Sequence, residues 1–237
     1  MASRYFIYSP LGRTGSQRIQ GLLGDAFSKR KVNQIHSHLP AISNIKLNAT
    51  NSLVIQNDKD YSNMTVEDFQ TRGYITSPIA TVHAHTPLYP AFPDWHFILS
   101  TRKDKSEQPM SHAISVAANA WTPFQENESK EISPFGLDVD DYIMKLDTII
   151  ALEREYVLKC WQERAKITVL FMEDTVECIE RKLNITISEN RIEKSDTATI
   201  SKRRPEHYII NYEHLKYTVY PEYMREKRKQ LPYSIDE

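Results

Sequence analysis

A cluster of cationic and hydroxyl side chains lies near the start of the chain, between a short apolar run and a helical pattern. The apolar run covers residues 5–8, and the polar cluster consists of Arg13, Thr14, Gly15 and Ser16. The first N–H groups of a helix have no partner inside the helix, and the helix dipole favours negative charge there. A strand, a glycine-containing loop and a helix start in this order therefore indicate a site for a phosphate or sulfate group.

This loop differs from the nucleotide-triphosphate P-loop, in which G-x-x-x-x-G-K-[ST] places a lysine directly after the second glycine. Here Gly15 is followed by Ser16 and Gln17. Arg13 supplies a fixed positive charge, and Arg18 is a second candidate cation. An anion cradle and an ordinary strand-to-helix turn both fit this stretch when it is read alone.

The β-branched run at residues 79–83 ends in His83, and a second histidine, His85, follows two residues later. The carboxyl end of a strand is where α/β proteins bind ligands, and an imidazole titrates near neutral pH. His85 is therefore a candidate general base, with His83 beside it, and a hydrogen-bonded loop histidine is the alternative. A second histidine pair, His36 and His38, either binds a metal or lies on the surface beside a proline.

A third group of residues that could bind a ligand follows the apolar run at residues 95–101. Arg102 comes directly after this run, and Ser111 follows nine residues later in a segment of helical composition. Cations at the end of a central strand offer a second anion site, and a solvated charge at a strand end is the alternative. Another apolar run covers residues 167–172, and the acids at 173–174 either hold a metal or cap the next helix.

These positions need a scaffold of strands and helices. The predicted strands are residues 5–8, 53–55, 79–83, 95–101 and 167–172. A long helix is predicted from Asp138, and its apolar stripe consists of Ile143, Leu146, Ile150, Val157 and Trp161. The polar residues around the strand at 53–55 are read as loops. A parallel sheet would bring the three strand ends, and the polar groups after them, to one edge.

The chain as a whole has the composition of a globular protein. Its 237 residues suffice for one sizeable domain, and they are 40% hydrophobic and 26% charged, with a net charge of −1. This balance favours neither nucleic acid nor a membrane surface as a partner. No apolar run reaches the length of a membrane span, and no signal peptide is visible, so a cytoplasmic location is expected. Cys160 and Cys178 lack the spacing of a disulfide framework or a zinc site.

The three polar positions, in this order, resemble the motifs of the sulfotransferases that use 3′-phosphoadenosine 5′-phosphosulfate. The first loop of that family, K-[ST]-G-[ST] or R-S-G-S, binds the 5′-phosphosulfate, and R-T-G-S at residues 13–16 with Gln17 corresponds to it. The family's next motif, of the type K-T-H-L-P, carries the catalytic base. H-A-H-T-P at residues 83–87 is similar, so His85 corresponds to the base and His83 stands at the lysine position.

The third motif of the family is an arginine after a strand and a serine eight residues on, and both bind the 3′-phosphate. Arg102 fits this motif, and Ser111 fits it with one inserted residue. Residues 167–174 are similar to the family's late strand with its Y-E-D ending, so the resemblance covers residues 4–183. The segment R-K-G-x-x-G-D-W-K of animal cytosolic members is absent, and the basic residues 202–203 are candidate substitutes.

The resemblance implies one α/β domain over residues 1–237, a three-layer sandwich around a central, mainly parallel sheet of the P-loop nucleotide-hydrolase-like type. It implies sulfuryl transfer from 3′-phosphoadenosine 5′-phosphosulfate (PAPS) to a hydroxyl or amine, with adenosine 3′,5′-bisphosphate (PAP) as product. His85 would be the base, Arg13 would stabilise the sulfuryl charge, and no metal is expected. The acceptor, a small molecule or a glycan, is expected between loops at 36–75 and 121–137.

Two other functions remain open at this point. A non-catalytic nucleotide- or glycan-binding protein of the same fold is favoured by His83 in place of lysine and by the shifted position of Ser111. A nucleoside-phosphate kinase would need a P-loop lysine and a magnesium-binding acid, for which Asp174 is the best candidate.

Overall fold

A computed structural model describes residues 5–23, 32–37, 43–47, 53–57, 79–83, 96–119, 131–198 and 203–235. Within these residues seven strands form one sheet. They are β1 (Tyr5–Tyr8), β2 (Val32–Ser37), β3 (Ser43–Leu47), β4 (Leu53–Asn57), β5 (Ile79–His83), β6 (His96–Thr101) and β7 (Ile167–Phe171). Three positions singled out in the sequence, His38, His85 and Lys202, lie outside the described residues.

The strand order reverses at β1. Across the sheet the order is β3-β4-β2-β5-β1-β6-β7, and only β3 and β4 pair antiparallel among the described pairings. β1 lies between β5 and β6, so that Tyr8 is the register partner of both Val82 and Leu99. The chain builds one side of the sheet up to β5 and the other side from β6 onward. Ligands of α/β proteins bind at the carboxyl ends of strands at such a reversal.

Apart from the first, the described helices come after β6 in the chain. The helices are α1 (Ser16–Leu23), α2 (Glu107–Ala118), α3 (Val139–Gln162), α4 (Val176–Leu183), α5 (Glu189–Ala198), α6 (Pro205–Tyr208), α7 (Tyr212–His214) and α8 (Tyr220–Lys227). A π-helical segment, Leu215–Val219, lies between α7 and α8, and a 3-10 turn, Arg228–Gln230, follows α8. Pro221 in the first turn of α8 has no N–H to donate to the preceding turn, which favours the wider π-type bonding there.

Helices pack on both faces of the sheet at β1 and β6, whose neighbouring residues point to opposite faces. On one face, Ile7 and Ile98 belong to an apolar cluster that includes Leu22 of α1 and Ile179 of α4. On the other face, the ring of Tyr156 from α3 packs against Tyr8 at 4.5 Å between centroids and against Phe97 at 6.5 Å. The mixed helix and strand arrangement agrees with the predicted α/β class.

Helix α3 begins where the sequence predicts. The Asp138 carboxylate accepts hydrogen bonds from the N–H groups of Asp140 and Asp141, which are otherwise without partners at a helix start. The prediction for its apolar stripe was wrong at Trp161, which is 53% exposed, whereas Cys160 is fully buried. A helix of 3.6 residues per turn drifts relative to a regular apolar repeat, so the buried side moves by one residue near the end.

A second apolar cluster joins α2 and α3 to the C-terminal helices. Its buried members are Met110, Ile114, Leu137, Tyr142, Leu146, Ile209 and Leu215. The Phe135 N–H donates to the Tyr208 carbonyl at 2.9 Å, and the Ile210 N–H donates to the Phe135 carbonyl at 3.0 Å. Residues 131–137, the described part of the predicted loop at 121–137, are therefore attached to the C-terminal region.

The sequence did not predict two strands, β2 and β3, and of these β3 lies among the polar residues before 53–55 that were read as loops. In β2 the apolar residues Val32 and Ile35 are three positions apart, so the alternation that marks a half-buried strand is missing. β4 extends the predicted strand at 53–55 by two residues.

None of the helices in the described residues is both long and apolar enough to cross a lipid bilayer.

Candidate functional site

The loop between β1 and α1 lies at the edge of the sheet where the strand order reverses. It leaves the carboxyl end of β1 at Ser9 and enters α1 at Ser16. β5 and β6 flank β1 in parallel, so the residues that follow these two strands start at the same edge. The loop after β1, His83 at the end of β5 and Arg102 after β6 are therefore brought to one edge of the sheet, as a parallel sheet predicts.

The backbone of this loop adopts conformations that L-residues rarely take. Leu11, Gly12, Arg13 and Gly15 have φ values of 54°, 70°, 61° and 74°. A non-glycine residue in this region costs on the order of 1–3 kcal/mol, and such strain concentrates at ligand sites. Turns that bring successive backbone N–H groups together form concave anion sites in many proteins.

Gly15 is required by its surroundings as well as by its φ angle. A Cβ atom at this position would lie 2.9 Å from Cγ of Met172, the residue that follows β7. Real Cβ atoms essentially never come this close to another heavy atom. Glycine thus lets the loop pack directly against the end of β7.

A chain of buried hydroxyl groups ties the loop to β6. The Thr14 hydroxyl is hydrogen-bonded to the Ser9 hydroxyl at 2.6 Å and to the Ser100 hydroxyl at 2.8 Å. The Ser100 hydroxyl also donates to the Thr14 carbonyl at 3.1 Å. All three side chains are fully buried, so Thr14 holds the loop in place from inside.

Gln108 of α2 ties the loop to the second half of the site. Its side-chain amide N–H groups donate to the Pro10 and Gly12 carbonyls, each at 3.0 Å. Gln108 is fully buried, and hydrogen bonds of this kind are costly to break inside a protein. Hydrogen bonds therefore hold the loop to β6 through Thr14 and to α2 through the Pro10 and Gly12 carbonyls.

The Arg13 guanidinium reaches the helix that follows β6. Its Nε–H donates to the Ser111 hydroxyl oxygen at 2.9 Å, across 98 positions of sequence. Ser111 is buried to 7% exposure in α2, whereas Arg13 is partly exposed. Two of the residues that the sequence selected independently, each as part of an anion site, thus contact each other.

Arg102 lies just beyond β6, and a nearby glutamate, Glu107, partly neutralises its charge. Its guanidinium is 3.7 Å from the Glu107 carboxylate in the first turn of α2. Glu107 also accepts hydrogen bonds from Lys216 and from the Tyr212 hydroxyl, both from the C-terminal helices. The Nε atom of Arg102 is buried and has no hydrogen-bond partner among the described residues.

The cations around Glu107 keep this corner of the site charged. Burial alone would raise the pKa of Glu107, but the hydrogen bonds from Lys216 and Tyr212 lower it below its usual value. Burial likewise opposes the charge of Lys216, and the hydrogen bonds to Glu107 and Tyr212 raise its pKa above its usual value. Lys216 is also 4.0 Å from the Asp104 carboxylate, so Arg102 and Lys216 are balanced by two acids in this corner.

The remaining predicted site residues have the following places. His83 ends β5 one residue beyond Val82, the register partner of Tyr8, and its own register partner in β2 is His36. Ser16 and Gln17 are the first two residues of α1, and Ser16 is buried to 4% exposure.

Arg18 lies near the loop but binds protein carbonyls. Its guanidinium donates to the Asp174 carbonyl at 2.9 Å. This contact ties the first turns of α1 to the end of β7. Among the residues that the structure describes, Arg18 thus serves the packing of α1 against β7, whereas it was a candidate second cation in the sequence.

Asp174 holds the end of β7 and does not cap the next helix. Its carboxylate accepts from the Phe171 N–H and from Lys182, each at 2.9 Å, and it is 5% exposed. The cap of α4 is Thr175, whose hydroxyl accepts from the Cys178 N–H. The described residues contain no group of three or more histidine, cysteine or acidic side chains arranged to hold a metal ion.

Lys105, three residues after Arg102, lies in the interior. It is fully buried beside Glu153 of α3, with 2.9 Å between Nζ and Oε1. It therefore adds no charge to the exposed edge.

Sequence reasoning also missed Gln108, Ser9 and Ser100, which hold the loop. Gln108 and Ser100 lie 96 and 86 positions from their loop partners, and a single sequence gives no sign of such contacts.

Comparison of the chain with protein-family models, with curated proteins and with solved structures gives no match. The assignment of a function therefore depends on the site itself.

Proposed function

We propose that the protein is a sulfotransferase that takes its sulfuryl group from PAPS. The observation that carries this proposal is the hydrogen bond of 2.9 Å between Arg13 and Ser111. It joins the loop after β1 to the helix after β6. These are the two elements that the resemblance assigns to the 5′-phosphosulfate and to the 3′-phosphate of one nucleotide.

The charge and the backbone of the site suit a doubly anionic nucleotide. Arg13 and Arg102 lie at the same edge of the sheet, and the start of α1 offers N–H groups and the positive end of a helix dipole. The loop is held by buried hydroxyl and amide contacts, so its N–H groups need no reorganisation when an anion binds. On this basis the finer fold class is proposed to be the P-loop-like sulfotransferase fold.

In the proposed reaction the bound donor supplies an activated sulfuryl group. Arg13 and the first N–H groups of α1 stabilise the negative charge that develops on the sulfuryl group and on the departing 5′-phosphate. Arg102 and Ser111 bind the 3′-phosphate, which distinguishes this donor from ATP. His85, which follows β5 by two residues, accepts the proton of the hydroxyl or amine acceptor. The fixed arginines serve the part that magnesium has in phosphoryl transfer.

A non-catalytic nucleotide-binding protein is the second candidate. It is favoured by His83, which stands where the sulfotransferases have a lysine. A kinase is disfavoured within the described residues, since Asp174 is engaged by Lys182 and by the Phe171 N–H and its side chain is 5% exposed.

A thermal-shift panel separates the kinase from the two candidates that bind PAP. PAP without magnesium should raise the Tm by roughly 5–10 °C at a hundredfold excess over its Kd, whereas ATP with magnesium should not. Arg13→Ala should abolish this shift, and Arg154→Ala, an exposed arginine of α3, should retain it. A shift with ATP and magnesium alone would support the kinase, and no shift with PAP would refute the sulfotransferase.

The second measurement separates the enzyme from the binding protein. His85→Ala should lower sulfate transfer from labelled donor by on the order of a hundredfold or more, because it removes the general base. It should leave the thermal shift with PAP unchanged. Near wild-type transfer by this variant would rule out His85 as the base.

A further inference from the structure

A buried ion pair lies directly behind Arg102. The Lys105 ammonium is 2.9 Å from the Glu153 carboxylate, and both side chains have 0% exposure. The ammonium also donates to the Thr101 hydroxyl and, at 3.1 Å, to the Arg102 carbonyl. It thus binds the backbone at the point where the chain leaves β6, although it does not reach the exposed edge.

Such a pair is a poor source of stability. The loss of hydration on burying two charges usually offsets their attraction, so a well-packed apolar pair would often serve stability equally well. What a fully bonded buried network does supply is a single allowed geometry, because every alternative leaves a charge without partners. The pair therefore fixes the turn between β6 and α2.

The C-terminal segment completes this network from the outside. The Tyr233 hydroxyl donates to the second oxygen of Glu153, and its ring packs edge-on against Phe171 at 5.7 Å between centroids. Burial and the neighbouring Glu153 raise the pKa of Tyr233, so its hydroxyl keeps the proton that it donates. The Lys105 backbone N–H donates to the Tyr220 hydroxyl oxygen at 3.0 Å.

The turn held in this way leads into the contacts of the anion loop. One turn of helix beyond Lys105, the Gln108 side chain binds the Pro10 and Gly12 carbonyls. One turn further, Ser111 accepts from Arg13. A shift of the turn would therefore move the start of α2 and with it the partners of the loop.

We propose that Lys105, Glu153 and Tyr233 are positioning residues, through which the C-terminal segment sets the geometry of the anion loop. No ligand contact is assigned to any of the three. The identity of the ligand rests on the proposed function, but the coupling between the C-terminal segment and the loop does not.

The test compares two tyrosines of the C-terminal region, each of which donates its hydroxyl to an acid of α3. Tyr233→Phe removes the bond to Glu153, and Tyr223→Phe removes the bond to Asp147, which lies outside the network. Amide hydrogen exchange of the ligand-free protein should become faster at residues 9–15 and 102–111 in Tyr233→Phe only. Equal exchange at residues 9–15 in both variants would overturn the proposal.

Ligand affinity gives the second readout. Tyr233→Phe should weaken PAP binding by roughly three- to tenfold, as mutations that act through a network do, and Tyr223→Phe should leave it unchanged. Unchanged affinity in Tyr233→Phe, with a wild-type protein that binds, would also overturn the proposal. A wild-type protein that does not bind PAP would refute the proposed function, and the exchange experiment would still decide the coupling.

A double variant separates geometry from stability. Lys105→Met with Glu153→Leu removes both charges together, so no buried charge is left without a partner. Urea unfolding measures global stability, which includes the cost of leaving the Tyr233 hydroxyl without its acceptor. Exchange at residues 9–15 should become faster because the Arg102 carbonyl loses its donor. Wild-type exchange at residues 9–15 in this folded variant would refute the positioning role.

Discussion

Arg13 and Ser111 are 98 positions apart in the chain, yet one hydrogen bond joins them and defines the centre of the site. The sequence selected both residues because arginine, hydroxyl groups and glycine at strand ends are suited to anions. It did not indicate that they touch. The hydrogen bond turns two separate motif assignments into one site, and its strength is open to measurement.

At this scale a double-mutant cycle tests the pair. Arg13→Lys keeps the charge but loses the planar Nε–H donor, and Ser111→Ala removes the acceptor. Each single variant should weaken PAP binding by about tenfold, because hydrogen bonds to a charged group contribute about 1.5–3 kcal/mol. The double variant should bind PAP as tightly as the single variant with the lower affinity. Fully additive effects, measured by calorimetric titration, would show that the two residues act independently.

At the scale of the element, the loop between β1 and α1 is held by three neighbours. Ser100 of β6, Gln108 of α2 and Met172 after β7 each contact it. The sequence predicted the loop and the strands on either side of it, since apolar runs and glycines are local signals. It did not predict the neighbours, because their contacts depend on the order of strands in the sheet.

Gly15 gives the element-scale prediction. Gly15→Ala should lower the free energy of unfolding by about 1–3 kcal/mol, because it combines a positive φ with a contact of 2.9 Å to Met172. Adding Met172→Ala should restore part of this loss, since it removes the contact but leaves the strained φ. Urea unfolding measures both changes.

The matched control is Gly136→Ala. A Cβ at Gly136 meets no heavy atom within 4 Å, and its φ is not positive. Its unfolding free energy should stay within about 0.5 kcal/mol of wild type. Equal losses at Gly15 and Gly136 would show that the packing against Met172 is not what requires glycine.

At the scale of the whole molecule, the sequence predicted the mixed α/β class and the central strands but not the sheet order. β2 was missed because its two apolar residues do not alternate, and the π-helical segment has no sequence signature other than Pro221. The predicted strand ends came out at one edge because parallel pairing puts them there. The central strands were predicted because their apolar runs are strong local signals, whereas the sequences of β2 and β3 carry weak signals.

The stability of the whole molecule should depend on pH through His96, at the amino end of β6. Burial, with a smaller contribution from Lys166, lowers the pKa of His96 from 6.5 to about 4. Between these pH values the imidazole is protonated in the unfolded chain but not in the folded chain. The contribution of His96 to stability is therefore fully present above pH 6.5 and is lost as the pH falls toward 4. The loss should be on the order of 3 kcal/mol, since one pKa unit corresponds to about 1.4 kcal/mol.

A glutamine at this position isolates the contribution of the imidazole. His96→Gln keeps a group that can bond to the Thr168 hydroxyl, which lies 2.8 Å from the histidine Nε2, but it does not titrate. Urea unfolding at several pH values between 4 and 7 should show a flatter profile for the variant. Parallel profiles for the two proteins would contradict the assignment to His96.

The π-helical segment Leu215–Val219 has a consequence for the angular phase of the C-terminal helices. Each residue of an α-helix advances by about 100°, so one additional residue in a turn rotates everything after it by that angle. Before the segment, Tyr212 reaches Glu107 of α2; after it, Tyr223 and Lys227 reach Asp147 of α3. The wide turn thus lets one continuous helical run contact both α2 and α3. Deletion of a single residue in this turn would break the contacts with one of these two helices.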